Sequence, residues 1–299
     1  MLNILITGGT GLIGSTLIPR LLTHNHTITV LTRSLESAKA QLPEGIALIK
    51  DLSQLENLDE YQAVINLAGE PIVNKRWSDS QKRKLEQSRW SITEELVTLI
   101  NASESPPEVF ISGSAVGFYG RQDQTPIDET FSAPYDEFSH RLCKTWEDIA
   151  LRAQASSRVC ILRTGIVLAS NGGALNKMVL PFKFGLGGPI GSGEHYMSWI
   201  HIDDMVDGIL FLLEHQKCKG VYNFTAPVPV TNKQFSYALA SAINRPSVIS
   251  TPPIILKLLM GEMADLLIYG QNVLPTRLTE DGFTFIYNDI DDALNSLAL

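Results

Sequence analysis

Only three cysteines, Cys143, Cys160 and Cys218, occur in the 299 residues, an odd number with no C-x-x-C spacing. This excludes a disulfide scaffold and a zinc knuckle and points to a reducing compartment. Basic residues are in the minority, 24 against 32 acidic, and the formal charge of −8 argues against a polyanion binder. Non-specific nucleic-acid affinity comes mainly from neutralising phosphates with Lys and Arg, so no nucleic-acid partner is expected. Long apolar runs are missing too. The most apolar late stretch, Pro252 to Ile268, is interrupted by Lys257, Glu262 and Asp265, too soon for a bilayer span of ~20 residues. It reads as one or two buried helices, with no membrane partner. No basic n-region, h-region or cleavage site stands before Ile4-Leu5-Ile6, which makes the cytoplasm the expected location. Internal repeats and low-complexity linkers are also absent. What remains, 44% hydrophobic, is the composition of an ordinary globular protein with one large domain or two moderate ones.

Short apolar runs at Asn3–Thr7, Thr27–Leu31, Ile46–Ile49 and Ala63–Leu67 alternate with helical or loop stretches, the first helix spanning Leu12 to Leu22. Val109–Ser112 and Val159–Arg163 read as further central strands, with helices at Ser80–Ser103 and Phe138–Ala155 between them. Such alternation predicts an α/β fold, a Rossmann-type doubly wound parallel sheet covered on both faces. Beyond residue 170 the alternation weakens into a helical stretch, Leu175–Phe184, and a glycine-rich segment, Gly185–Gly193, that reads as a loop over a site. Gly220–Phe224 returns to the sheet, whereas Thr231–Asn244 and Ile254–Ile268 read as helices outside it. The expected division is a dinucleotide-binding domain, 1–166 with 201–227, and a smaller, mostly helical C-terminal lobe for substrate, 167–200 with 228–299.

The turn Thr7-Gly8-Gly9-Thr10-Gly11-Leu12-Ile13-Gly14 places glycines at 8, 11 and 14 between a strand and a helix. Gly8 permits a tight turn, Gly11 lets the backbone approach a pyrophosphate, and Gly14 lets the helix pack on the sheet. The helix N-terminus then offers unpaired N–H groups to the anion. At the end of the second strand, where an acid would bind the ribose hydroxyls of NAD, the sequence reads Thr32-Arg33. A guanidinium suits a 2′-phosphate, so the expected cofactor is NADP(H), the alternative being a solvated Arg33 beside Glu36. Asp51-Leu52, after the third strand, is placed to meet the adenine edge, with Asp51 as a plain turn or cap residue the other reading.

These residues resemble the extended short-chain dehydrogenase/reductase superfamily, and more narrowly its atypical, epimerase-like branch, the nucleoside-diphosphate-sugar epimerase family. The resemblance runs nearly end to end, through Asn66–Ile72, Ser88-Arg89, Ser114–Gly120, Leu162–Leu168, Gly185–Gly193, Trp199–Asp204 and Gly270-Gln271 to Pro275. It implies that Leu67, Ala68 and Gly69 flank the cofactor, that Val167 touches the nicotinamide side and that Arg89 reaches the cofactor. It also implies, by analogy, a homodimer joined through long helices of the dinucleotide-binding lobe.

Enzymes of the superfamily use a serine with a Tyr-x-x-x-Lys pair on one helix, where the lysine cation lowers the tyrosine pKa for proton transfer. Here, aligning the trailing glutamate on Glu147 puts Ser139 and Cys143 in those two places. A one-residue shift gives His140 and Lys144, which keeps the i, i+4 spacing and offers an imidazole as proton carrier. Ser114 matches the family's serine, with Ser112 the runner-up. Glu70, Asn74, Arg76 and Trp77 follow the fourth strand, where a carboxylate such as Glu70 would bind substrate or shuttle a proton, or else form a rim ion pair. Asp203 reads as a helix cap, and Asp203, Asp204 and Asp207 do not make a metal site. The expected function is an NADP(H)-dependent oxidoreductase or epimerase for a small polar carbonyl or sugar-like substrate, with catalysis by Ser114, His140 and Glu70. The alternative is a non-catalytic NADP(H)-binding or redox-sensing protein, motivated by the missing tyrosine and lysine.

Overall fold

The computed structural model describes residues 1–247 and 249–299. Its first half alternates strictly: β1 (Asn3–Thr7), α1 (Leu12–Thr23), β2 (Thr27–Leu31), α2 (Leu35–Gln41), β3 (Ala47–Ile49), β4 (Ala63–Asn66), α3 (Asp79–Ala102) and β5 (Val109–Ala115). A 3₁₀ turn at Val116–Tyr119 leads to β6 (Pro126–Ile127), α4 (Phe138–Leu151) and β7 (Arg158–Thr164). Then follow β8 (Ile166–Leu168), α5 (Gly173–Lys183), β9 (Tyr196–Met197), β10 (Trp199–His201), α6 (Ile202–Glu214), β11 (Gly220–Phe224), β12 (Val230–Thr231) and α7 (Asn232–Ala242). The chain ends through α8 (Pro253–Met260), α9 (Asp265–Ile268), β13 (Asn272–Val273), α10 (Thr276–Glu280) and α11 (Ile290–Ser296).

Seven strands form one parallel sheet in the order β11-β7-β5-β4-β1-β2-β3, the doubly wound arrangement that the alternation predicts. Side chains in register across parallel strands share a face, and this sheet is graded along its length. On the face under α3 and α4, the rows begin apolar with Leu5, Val64, Phe110 and Val159, all buried. One step toward the carboxyl edge the paired residues become Thr7, Asn66 and Ser112, and one step further Ser114, Arg163 and Asn223. The opposite face, Ile4, Ile6, Ile65, Ile111, Leu162 and Phe224, stays apolar and packs with α1 and α6 in the largest core. The polarity of one corner of the sheet is therefore written into the register, at the carboxyl edge where open α/β sheets bind ligands.

A second core joins Leu168, Val179, Phe182, Trp199, Phe235 and Leu239 to Ile290, Ala293 and Leu294. The chain between residues 276 and 285 instead turns back: Leu278, Phe283 and Phe285 pack into the core of the large sheet, so the C-terminal third is shared between the two cores. The stretch Pro252–Ile268 also departs from its apolar appearance. It breaks into α8, a 3₁₀ turn at Gly261–Ala264 and α9, and α8 buries none of its residues, with Ile254 at 62%, Leu258 at 71% and Leu259 at 67% exposure. Among the described residues no helix is long and apolar enough to cross a membrane.

The α6 start also differs in detail from the expected cap. His201, not Asp203, is the N-cap, its Nδ1 accepting the Asp203 N–H at 3.1 Å. Asp204 is fully buried and accepts the N–H groups of Ile286 (2.7 Å) and Tyr287 (3.0 Å), fastening the returning chain to α6. Asp204→Ala leaves both N–H groups without an acceptor and is expected to lower unfolding stability by about 2–3 kcal/mol in urea denaturation, with early proteolytic cleavage in the 280s.

Candidate functional site

The glycine turn is a cradle that side chains would fill. Gly8 has φ +72°, and a Cβ there would lie 2.6 Å from the Leu67 carbonyl carbon; one at Gly14 would lie 2.4 Å from the Gly8 oxygen. Gly9 faces Val30 as closely, at 2.8 Å. Gly11 caps α1 in extended conformation with no side-chain hydrogen bond and no acidic residue in the first turn, so the helix start at Leu12, Ile13 and Gly14 is left for an external anion. Thr10 is exposed at the lip. The opposite wall is fixed by Thr7, whose Oγ1 donates to Asn66 Oδ1 at 2.6 Å and accepts the Ala68 N–H at 3.2 Å. That bond holds Leu67 and Ala68 over Gly8.

Around the cradle the expected adenosine contacts lie on three strand ends. Arg33 is exposed and forms no ion pair among the described residues, with Glu36 or any other acid. Thr32 bonds with Ser34, whose side chain caps α2. Asp51 is exposed and accepts the Ser53 N–H at 2.8 Å, which holds its carboxyl below the usual range, while Leu52 is buried in the core behind it. Asp51 thus adopts the cap geometry of the second reading. These residues fit a dinucleotide carrying an extra phosphate: a pyrophosphate at the uncapped helix and a phosphate monoester at the free guanidinium.

Toward the reacting end, a Cβ on Gly69 would lie 2.9 Å from Arg89 Cζ. Arg89 donates to the Leu85 and Glu70 carbonyls, lies over the Trp146 ring at 5.4 Å, and burial lowers its pKa. No carboxylate pairs with it among the described residues, so a half-buried cation stands beside the Leu67–Gly69 wall. Val167 is half-buried in the middle of β8. Glu70 donates its N–H to Ser88 Oγ at 2.9 Å and its carboxylate stands 3.6 Å from Lys84, a rim ion pair.

The proton-transfer candidates do not converge. Ser114 is buried and donates at 2.6 Å to Glu147 Oε1. Glu147 receives two bonds from the Arg163 guanidinium, at 2.9 and 2.8 Å, which lies over the Phe118 ring at 3.4 Å and donates to Tyr119 Oη at 3.0 Å. Tyr119 in turn donates to Asn223 Oδ1 at 2.7 Å. Ser112 is fully buried with its hydroxyl unpartnered. His140 Nδ1 lies 2.5 Å from the Phe118 carbonyl, whereas Lys144 points to solvent and pairs with Asp148 at 2.6 Å, so the i, i+4 pair is split. Cys143 is buried, and desolvation pushes its thiol up to about 12.

Ser139, in the tyrosine's place, does face a cavity. A small cleft of about 30 Å³ is lined by Trp77, Arg121, Glu137, Phe138, Ser139 and Asp265. Sequence reading missed Arg121, Glu137 and Asp265. Arg121 donates to Glu137 Oε2 at 3.0 Å and Asp265 Oδ2 at 3.1 Å, and sits between the Tyr135 and Tyr269 rings at 4.7 and 4.2 Å. Nothing local in the sequence marks this bridge, whose partners are 16 and 144 residues from Arg121. Trp77 meets Phe138 edge-on at 4.9 Å, and Lys177 crosses from α5 to Asn74 at 2.6 Å. A larger concavity, about 620 Å³, lies at the opposite edge of the sheet around Leu2, Gln62, Glu108 and Arg158, and touches none of these residues. Among the described residues no cluster of three His, Cys, Asp or Glu side chains is placed to hold a metal ion.

Residues 4–224 match the NAD dependent epimerase/dehydratase family and residues 251–297 match a domain of unknown function. The chain is 40% identical to the chloroplastic homologue of epimerase family protein SDR39U1 from Arabidopsis thaliana, covering 99% of this chain and 86% of that one. Among solved structures it is similar to human epimerase family protein SDR39U1 (isoform 2) with NADPH, with TM-score 0.90, 31% identity and 99% of each chain covered. It is also similar to the nucleoside-diphosphate sugar epimerase of Corynebacterium glutamicum, with TM-score 0.79 and 30% identity, covering 99% of this chain and 58% of that one.

Two outcomes test the buried chemistry. Glu147→Gln leaves the Arg163 cation uncompensated in the interior and is expected to lower stability by about 3–5 kcal/mol in urea denaturation. Burial raises Cys143 and Cys160 to about 12 from 9.0. Both thiols should resist a thiol reagent at about pH 8 until the protein is unfolded. Because the folded state holds them neutral, their contribution is complete below the unfolded value and lost as pH rises from about 9 through 12, so the urea midpoint should fall across that window.

Proposed function

The chain belongs to the NAD-dependent epimerase/dehydratase family, and from that premise we propose that it is an NADP(H)-dependent oxidoreductase acting on a small polar carbonyl or sugar-like substrate. The observation that carries the reading is the unpaired Arg33 guanidinium at the end of β2, beside the uncapped start of α1. An acid at that position would select the free ribose hydroxyls of NAD; a guanidinium selects the 2′-phosphate. The NADPH in the human structure described above supports the same choice.

When bound, the cofactor supplies hydride chemistry at its nicotinamide. The residues of this chain supply the rest. Gly8, Gly11 and Gly14 bring bare backbone to the pyrophosphate, and Arg33 holds the extra phosphate. The Leu67–Gly69 wall, with the half-buried Arg89 cation behind it, and Val167 would flank the cofactor. An epimerase shares every one of these features and differs in returning the hydride before product leaves.

A second reading, binding without turnover, is favoured by one observation: Ser114 is committed to Glu147, and serine and cysteine stand where tyrosine and lysine act in relatives. It predicts a conformational response to NADPH with no chemistry.

Titration of wild type and Arg33→Ala with NADPH and NADH separates the possibilities. NADPH affinity should fall about 10- to 100-fold in the variant, as expected for loss of a charge-assisted pair, with NADH little changed. Turnover on a panel of carbonyls and sugar nucleotides, followed by nicotinamide absorbance and product, supports the enzyme, and tight binding with no turnover supports the second reading.

A further inference from the structure

Apolar side chains on a surface helix normally turn inward, and on α8 they do not. Ile254 and Leu258 stand one turn apart, as do Ile255 and Leu259, and all four are exposed. Leu180 on α5 and Phe184 at its end make a third such row, Phe184 at 73% exposure, and exposed Leu186 follows in the next loop. Exposed apolar residues scattered singly are ordinary; seven on adjoining segments are not.

The segments adjoin because the backbone ties them. The Thr251 N–H donates to the Pro189 carbonyl at 2.8 Å and the Gly191 N–H to the Thr251 carbonyl at 2.9 Å, so the loop leaving α5 runs beside the chain entering α8. Farther back on α5, Lys177 donates to the Val73 carbonyl at 3.0 Å and to Asn74 Oδ1 at 2.6 Å. Arg76, from the same loop, lies beside the far end of α8, where a Cβ on Gly261 would come within 3.0 Å of its guanidinium. α5, α8 and the loop after β4 therefore border one surface.

We propose that this surface rests on an anionic lipid membrane, as a peripheral contact. Charge selects the occupant. Residues 71–78, 171–193 and 244–261 carry Lys75, Arg76, Lys177, Lys183, Arg245 and Lys257 with no Asp or Glu, in a chain whose formal charge is −8. Lys257 reaches Asp265, and the other five form no ion pair among the described residues. Of the acids that border these segments, Glu70 and Glu262 are paired with Lys84 and Lys82, leaving Asp79 and Glu194. A second copy of this chain would bring like charges together, and lysine is depleted at protein–protein interfaces. Leucine, isoleucine and phenylalanine beside lysine and arginine instead match a helix lying in a membrane interface, with apolar side chains at the acyl boundary and cations at the phosphates. α8 has 8 residues, far short of a span of ~20, so the contact is with one leaflet.

Flotation of the full chain tests this, with vesicles of phosphatidylcholine alone and of phosphatidylcholine and phosphatidylserine in equal amounts. The chain should float with the anionic vesicles at low salt and be released as salt rises, because the headgroup attraction is screened. Leu258→Ser combined with Leu259→Ser should cut partitioning about tenfold or more, and Lys183→Ala about fivefold. Both variants should keep the wild-type urea midpoint, since none of these side chains is buried. Equal partitioning to the two kinds of vesicle, or binding that survives the double serine variant, overturns the proposal. Failure to float with either overturns it too, and self-association in sedimentation velocity that the double variant abolishes would then assign the face to a second copy of the chain.

Discussion

The corner of the sheet that faces the cleft depends on one buried ion pair. Arg163 on β7 and Glu147 on α4 meet through two hydrogen bonds with both side chains nearly inaccessible, at 6% and 4% exposure. Removing two charges from water costs several kcal/mol per ion, and only good geometry and further hydrogen bonds recover it. Here those bonds come from Ser114 on β5 and pass through Tyr119 to Asn223 on β11. Three strands, the 3₁₀ turn and α4 are thereby locked in one register, because a shift of one residue in any of them would put an apolar side chain against a buried charge. The position of Ser139 follows from that lock: it lies two turns before Glu147 on the helix that the pair fixes.

The same lock engages Ser114. A serine at the end of β5 has the composition of a catalytic group and the surroundings of a structural one. Its hydroxyl completes the coordination of Glu147, and withdrawing it to serve a substrate would leave a buried carboxylate short of a donor. The fold therefore divides its polar corner into two tiers. The inner tier, Ser114, Glu147, Arg163, Tyr119 and Asn223, is satisfied and rigid. The outer tier, Ser139, Glu137 and Arg121, borders open space, and its charges are shared across the lobes with Asp265.

What could be read from sequence follows the range of the interactions. The strand–turn–helix cradle was legible in full, because glycine spacing and apolar periodicity act within a dozen residues, and Arg33 stands at a fixed distance from it along β2. The doubly wound parallel sheet followed from alternation. On α4 the limit is angular: a one-residue shift turns a helix by about 100°, so His140 and Ser139 differ in sequence by almost nothing and in direction by nearly everything. The helix carries Ser139 to the cleft and His140 to the Phe118 carbonyl. Pro253–Met260 fails for another reason, since apolar content states what a helix tolerates and not which side of the molecule it meets. The Arg121 bridge joins residues 144 apart, a separation over which local pattern carries no signal.

The two tiers also differ in how readily they yield. The cavity at Ser139, about 30 Å³, is an order of magnitude below the roughly 300 Å³ at which small-molecule sites begin. The side of it contributed by residues 257–265 is tied down by Lys82–Glu262, Arg121–Asp265 and Lys257–Asp265, pairs that are partly solvated on at least one side. Such pairs are worth about 0–1 kcal/mol each and weaken with salt, whereas breaking Glu147–Arg163 leaves an unpaired interior charge. A ligand entering the cleft therefore meets its least resistance on the C-terminal side. The wall that holds Ser139 is thus fixed by a buried pair, and the wall opposite it by partly solvated ones.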